Sequence, residues 1–351
     1  MEKRIYMLLT NVPKVVQVEK LSVCVSVIIP VYNVAPFIER CADSLFRQTL
    51  ENVEFIFVND ATPDNSMELL EKCLERHPER KSQTKLLHHP VNKGLPTARN
   101  TGMDIATGEY IFHCDSDDYL APDALESMYR EAKARDVDAV WTDWYLSFQK
   151  NERYMRQPDY SSPLEALKGM LGGSMKYNVW NKLVRRSIYT ENGIRFPDGH
   201  NMGEDMTMIQ LFACAHTVCY LPKAYYHYVR QNAHSFTQTS DCNAQERHWE
   251  DLKCNVQRTI SFIEKRYGQK LESEIAFFKL ESKFPFLIAG DRASFRRWAE
   301  WFPEADAYIL QNKNVTFRSR LLQYMASKGQ FWYVRLYHTL LIRLVYGAFY
   351  K

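Results

Sequence analysis

Five short apolar runs, each followed by a segment of helical period, constrain this chain more than any other feature. VCVSVIIPVYN (23–33) is β-branched and almost wholly apolar, and its apolar core ends at Pro30. VEFIFVND (53–60), KLLHH (85–89), EYIFHC (109–114) and DAVWTDW (138–144) follow. Strands apolar along their whole length need cover on both faces. The segments between them supply it. Pro36 opens a helix with Phe37, Ile38, Cys41 and Leu45 on one face. Asp64 or Ser66 caps a second, carrying Met67, Leu69, Leu70 and Leu74. Residues 97–107 form a third, closed by Gly108, and Pro122 starts a fourth. Strands alternating with helices predict an α/β fold, a mainly parallel sheet with helices on both faces.

Such sheets bind ligands beyond the carboxyl ends of their strands. The polar clusters fall there: Tyr32–Asn33 after the first run, Asn59–Asp60 after the second, and Asp115, Asp117 and Asp118 after the fourth. Three carboxylates within four positions repel one another. Two at spacing i, i+2 after a buried strand suit a hard divalent cation, Mn²⁺ or Mg²⁺, whose remaining positions substrate phosphates can fill.

At 351 residues the chain is too long for one small core, and a large domain with an appendage is expected. Beyond about residue 238 the strand pattern gives way to aromatic-rich helical segments, including Trp249, Phe262, Phe277, Phe278, Trp298 and Trp301. The predicted division is an extension over 1–22, an α/β domain over 23–238 and a helical subdomain over 239–351. The formal charge of +3 is unevenly placed. Residues 315–351 carry six Lys/Arg and no acid, which leaves 39 basic against 42 acidic residues elsewhere. A body of that balance does not fit a nucleic-acid binder. Eight scattered cysteines without a C-x-x-C pair read as reduced thiols, hence a cytoplasmic protein. No G-x-G-x-x-G follows the first run, which argues against a dinucleotide-dependent oxidoreductase.

Several motifs in one order resemble the inverting nucleotide-diphospho-sugar glycosyltransferases of family two, which have the GT-A fold. They are VSVIIPVYN, the stretch RCADSLFRQTLENVEFIFVNDATPDNS, the stretch NKGLPTARNTGMDIATGEYIFHCDSDD, then VWNKLVRRS and GED. The resemblance runs from residue 23 to about 235. It implies that Pro30, Val31, Tyr32, Asn33, Asp60, Asn92 and Arg99 receive the nucleotide. The family's turn after the second strand reads D-D-G-S, where this chain has Asn59-Asp60-Ala61-Thr62. It further implies that Asp115 and Ser116 contact the ribose or the metal, that Asp117 is the principal metal ligand and that Asp118 orients the turn or contacts the sugar. Asp205 is the implied general base, with Glu204 beside it positioning the acceptor. Trp180 and Lys182 are candidates for the acceptor or the diphosphate, and Arg230 and Ser235 for phosphate oxygens. His227 or His234 could complete the metal shell, His234 foremost.

The implied activity is metal-dependent transfer of a sugar, from a UDP-sugar foremost, to a hydroxyl of a glycan or lipid-linked acceptor in surface polysaccharide or glycolipid synthesis. An acceptor hydroxyl attacking an anomeric carbon must lose its proton, which calls for a placed carboxylate. The alternative is an inactive binding or assembly subunit on the same fold; Asp117, Glu204 and Asp205 together argue against it. The tail FWYVRLYHTLLIRLVYGAFYK interleaves Trp332, Leu336, Leu340, Leu341, Leu344 and Phe349 with Arg335, Arg343 and Lys351. That pattern suits a helix lying on an anionic membrane surface, or a last helix packed on the protein.

Overall fold

The computed structural model describes residues 22–230, 242–289 and 291–340. The five apolar runs are strands: β1 (Val25–Val31), β2 (Val53–Asn59), β3 (Thr84–His88), β4 (Tyr110–His113) and, after a two-residue β5 (Tyr119–Leu120), β6 (Ala139–Ser147). The expected helices are α1 (Ala35–Phe46), α2 (Ser66–Glu75), α3 (Leu95–Ile105) and α4 (Ala124–Arg135). β1 and the first six residues of β2 are buried, as their composition demands.

The sheet is mixed. β3, β2, β1 and β4 lie side by side in that order, each pair parallel. β8 (Lys182–Arg185) then runs antiparallel between β4 and β6, and β9 (Val218–Val229) runs parallel to β6. β5 pairs antiparallel with β9, and β7 (Glu152–Met155) forms a hairpin with β6. β9 is interrupted where Leu221 pairs Thr142 but Ala224 pairs Asp143. Pro222 and Lys223 are extruded to solvent, because proline has no N–H for the ladder.

Two helix boundaries differ from expectation. α3 starts two residues early, behind Gly94, and stops at Ile105, so Gly108 is not its cap. Gly108 is required by close approach instead: a Cβ there would lie 2.5 Å from the Ser26 nitrogen. The buried Glu54 carboxylate anchors this corner, accepting from Ser26 Oγ at 2.5 Å and Thr107 N at 2.6 Å. The fourth helix begins two residues beyond Pro122.

After β6, α5 (Pro163–Gly172), α6 (Arg186–Glu191) and α7 (Thr207–Cys214) alternate with the later strands. The rest of the described chain is helical: α8 (Cys242–Tyr267), α9 (Glu272–Ala289), α10 (Arg292–Glu300), α11 (Phe317–Ser327) and α12 (Phe331–Tyr337). α8 packs on α7 and α9 on α5. Within the helical region, Phe286 of α9 meets Trp249 of α8 at 4.6 Å and Trp301, just after α10, at 5.0 Å, edge to face. The expected domain boundary at residue 238 lies outside the described residues.

Candidate active site

The ends of β1, β2 and β4 come together on one side of the sheet. At the end of β1 the chain turns through Asn33 at φ 54°, and Ala61 beyond β2 matches it at φ 55°. The two turns are tied: Asn33 N donates to Thr62 Oγ1 at 2.8 Å and Ala35 N to Asp64 Oδ2 at 2.8 Å. Tyr32 stands at the rim with 47% of its surface exposed. Pro30 and Val31 are buried inside β1, and the Val31 carbonyl accepts from Asp60 N.

Asp60 is buried, and its carboxylate organises the next loop. Oδ1 bonds His89 Nδ1 at 2.7 Å and accepts from Lys93 N at 2.8 Å, while Oδ2 accepts from Gly94 N at 2.8 Å. This folds the loop carrying Asn92, whose side chain is exposed. Gly94, at φ 89°, then starts α3, and an added Cβ would meet Asn201 Oδ1 at 2.3 Å.

α3 delivers Arg99 to the acidic turn after β4. The Arg99 side chain is 1% exposed, and Nη2 donates to Asp115 Oδ1 at 2.7 Å. Its Nε and Nη1 have no hydrogen-bond partner among the described residues. Burial opposes its charge, but Asp115, Glu204 and Asp205 overcome that and hold it cationic. Arg99 thus joins the acidic turn to the second acidic pair. Asp118 is fully buried; Oδ2 accepts from Tyr226 Oη and Oδ1 from Val229 N, both at 2.7 Å. Tyr226 Oη in turn accepts from Asp115 N at 3.1 Å. Burial, then the charges of Asp117 and Asp115, push the Asp118 carboxyl well above the usual range. Ser116 is buried between them, while Asp115 and Asp117 are partly open.

Glu204 and Asp205 form a single 3-10 turn (Glu204–Met206) leading into α7, behind Gly203 at φ 84°. Asp205 Oδ1 accepts from Val179 N at 3.3 Å. Each keeps some open surface, yet surrounding protein pushes both carboxyls up. For Glu204 burial comes first, then Asp205, against Arg99; for Asp205 burial comes first, relieved by Arg99 and reinforced by Asp115. The loop before them is clamped from two sides. Asn100 Nδ2 donates to Phe196 O and Asp198 Oδ1 at 3.0 and 2.9 Å. On α8, Asp251 Oδ2 accepts from Asn201 N at 3.0 Å, and Asn255 Nδ2 donates to His200 O and Met202 O at 3.1 and 2.8 Å.

Residues 26–203 match the family model described as Glycosyl transferase family 2. This chain belongs to that family. It is 31% identical over 283 residues to the uncharacterized glycosyltransferase EpsJ of Bacillus subtilis, covering 77% of this chain and 78% of EpsJ. It is 31% identical over 219 residues to the cholesterol galactosyltransferase of Borreliella burgdorferi, covering 58% and 59%. Residues 1–349 of S. aureus TarS superpose with a TM-score of 0.63 at 18% identity, covering 91% of both chains. The same TarS portion in complex with UDP-GlcNAc gives 0.63 over 91% and 92%. At that identity the likeness concerns the fold, which is GT-A with a helical C-terminal region.

Other expected site residues of this glycosyltransferase lie apart from the Arg99 cluster or are otherwise engaged. Lys182 is buried, and Nζ donates at 2.8 Å to Lys176 O, Asn178 O and Asn181 Oδ1, so its three protons hold the 176–181 loop. Burial lowers it to about 7. Trp180 is likewise packed, stacking on Tyr226 at 4.5 Å and Tyr228 at 5.3 Å. His227 stacks on Tyr119 at 4.3 Å and bonds Glu152 at 2.7 Å. Arg230 is exposed at the end of β9, beside Tyr228. His234 and Ser235 lie outside the described residues. Asn201, Tyr226, Asp251 and Asn255 were not expected at the site. Asp251 and Asn255, one helical turn apart in an otherwise amphipathic segment, are the pair a sequence could have flagged.

Proposed function

We propose that this glycosyltransferase moves a sugar from a nucleotide-diphosphate donor, a UDP-sugar foremost, to a hydroxyl of a glycan or lipid-linked acceptor, inverting the anomeric centre. The observation that carries the reading is buried Arg99, which donates to Asp115 in the turn after β4 and is held cationic by Asp115, Glu204 and Asp205 together. UDP-GlcNAc in the TarS complex supports the choice of donor class.

Asp205 is the proposed base. Both carboxyls of the pair are pushed up, Glu204 to about 8 and Asp205 to about 6. Neighbouring carboxyls with unequal environments divide the acid and base roles. Near neutral pH the pair therefore holds one proton, on Glu204, and Asp205 is ionised. The Val179 N–H fixes one Asp205 oxygen. The acceptor hydroxyl loses its proton to Asp205 as its oxygen bonds the anomeric carbon and the nucleoside diphosphate departs. Glu204, protonated, offers the acceptor a hydrogen bond. Tyr32 and Asn33 border the nucleotide, and Asp60 acts by shaping the 89–94 loop.

The acidic turn fits a divalent cation. Its donors are hard carboxylate oxygens, Asp118 is saturated by Tyr226 and Val229, and the charges of Asp115 and Asp117 bear on that buried group. Asp115 and Asp117 would hold Mn²⁺ or Mg²⁺, which when bound would neutralise charge on the leaving diphosphate. Among the described residues, the three-residue grouping with metal-ligand spacing is elsewhere, at Asp43, Cys73 and His77.

A location on the cytoplasmic face of a membrane belongs to the same proposal. No described helix is long and apolar enough to cross a membrane. Trp332, Leu336 and Leu340, at i, i+4 and i+8, are 59, 48 and 49% exposed. Arg335 lies among them, and such a face suits an anionic surface. The remaining tail residues, 341–351, lie outside the described residues. The proposed domain division remains 23–238 and 239–351.

A thermal-shift screen of UDP-, GDP- and dTDP-sugars with and without Mn²⁺ tests the donor. A shift largest for a UDP-sugar and dependent on Mn²⁺ is expected. No shift with any nucleotide sugar would overturn the reading.

A further inference from the structure

Resting on that reading, we propose that Tyr177 and Glu281 form an acceptor subsite that takes a neutral sugar unit and excludes uronates and phosphates.

Tyr177 lies in the 173–181 loop between α5 and β8, two residues before Val179, which bonds Asp205. Lys182 fixes that loop on both sides of Tyr177, through the carbonyls of Lys176 and Asn178. α9 covers it from outside. Phe278 meets the Tyr177 ring edge to face at 6.4 Å. One turn on, Glu281 reaches the same loop: a Cβ on Gly173 would lie 2.7 Å from its Oε2. Residue 281 lies beyond the family match, which ends at 203. This wall is therefore supplied by the helical region.

Both groups are partly buried, and neither the Tyr177 hydroxyl nor the Glu281 carboxyl makes a hydrogen bond among the described residues. Both keep some open surface, so each can meet a ligand that enters from solvent. Tyr177 also lies in the field of the proposed base: burial first, then Asp205, Glu281 and Glu204, push its phenol upward. Burial also raises Glu281 to about 7, with Lys176 opposing. A phenol and a carboxyl are hydrogen-bond partners for sugar hydroxyls, and an aromatic ring offers an apolar wall to sugar C–H groups. Asp205, ionised and bonded to this loop through Val179, repels an anion there. A neutral polyol is the ligand class this chemistry accepts.

Tyr177→Phe keeps the ring on Phe278, and Glu281→Gln keeps the side-chain shape, so thermal denaturation should find both folded. Two rates are then read: hydrolysis of a UDP-sugar without acceptor, and transfer to p-nitrophenyl β-glycosides of glucose, galactose, N-acetylglucosamine and glucuronic acid. Loss of one hydrogen bond in a crowded site corresponds to about a tenfold rise in acceptor KM. That rise is expected in both variants for the neutral glycoside used, with UDP-sugar KM and hydrolysis within about twofold of wild type. The wild type should not use the glucuronide. Unchanged acceptor KM in both variants, or equal loss of hydrolysis and transfer, would overturn the subsite. So would a wild type that hydrolyses donor but transfers to the glucuronide and to no neutral glycoside. A wild type that hydrolyses no nucleotide sugar would instead count against the proposed function, before either variant is made.

Discussion

Arg99 and the carboxylates around it decide what this site can do. A buried cation shared by Asp115, Glu204 and Asp205 keeps three acids within one electrostatic neighbourhood without letting all of them titrate normally. Asp205→Asn preserves shape and removes basicity. Transfer should fall by about 10²–10⁴-fold, the usual worth of a placed base, with donor binding retained by titration calorimetry. The proposed base works ionised and its carboxyl is raised to about 6, so wild-type transfer should fall as pH drops through that value. Glu204 makes a separate prediction about stability. Its carboxyl is raised in the folded protein, so the folded state keeps a proton that the unfolded chain releases. Stability from this group is therefore lost as pH rises through the interval between the ordinary carboxyl value and about 8. Glu204→Gln abolishes that loss. Its melting temperature relative to wild type should climb from pH 5 to pH 8.5; a constant difference would contradict the burial argument.

At the scale of elements, the acidic pair is held by partners distant in sequence. α8 binds the loop before Glu204 through Asp251 and Asn255, and α3 approaches it through Gly94. Asn255→Ala should lower kcat for transfer several-fold while leaving UDP affinity near wild type, because the turns proposed to border the nucleotide follow β1 and β2. Gly94→Ala should be worse than an ordinary surface change. It adds the strain of a positive-φ extended conformation that glycine alone adopts readily, about 1–3 kcal/mol, to a collision with Asn201, and a loss of melting temperature would register it. The difference between these partners and β1–β4 explains what the sequence could disclose. The parallel half was legible because each strand is apolar throughout and each helix has its own period. Asp115, Asp117, Glu204 and Asp205 were legible because they stand at element ends. β8 was hidden in a lysine- and arginine-bearing stretch open to a helical reading, and β9 by Pro222, which breaks its register. The loop clamp was hidden because its pairs are about fifty residues apart on α8 and nearly a hundred on α3, and folding alone joins them. Lys182 illustrates the limit for a single residue. A cation near a phosphate site suggests a ligand contact, yet three carbonyl oxygens of its own loop and side-chain neighbour claim it.

For the whole molecule, the sheet and the helical region have separate tasks in the proposed reaction: strand ends hold the donor, while α8 and α9 set the base and border the acceptor. The exposed Trp332, Leu336 and Leu340 lie at the far end of that helical region. Each Lys or Arg near an anionic bilayer contributes about 1 kcal/mol. Full-length protein should therefore sediment with anionic liposomes at low salt, release as salt rises, and stop binding when truncated after Lys328. Protein that stays in the supernatant at low salt would leave α12 without a membrane role. The central claim is the inverting, cation-assisted transfer built around Asp115, Asp117 and Asp205. Proton NMR of the enzyme with UDP-α-hexoses tests it most directly, with and without Mn²⁺, reading the anomeric signal of the sugar first released to water. The account predicts Mn²⁺-dependent release of the β-anomer, before mutarotation blurs it. Release of the α-anomer, or an unchanged rate when the cation is chelated, would contradict it.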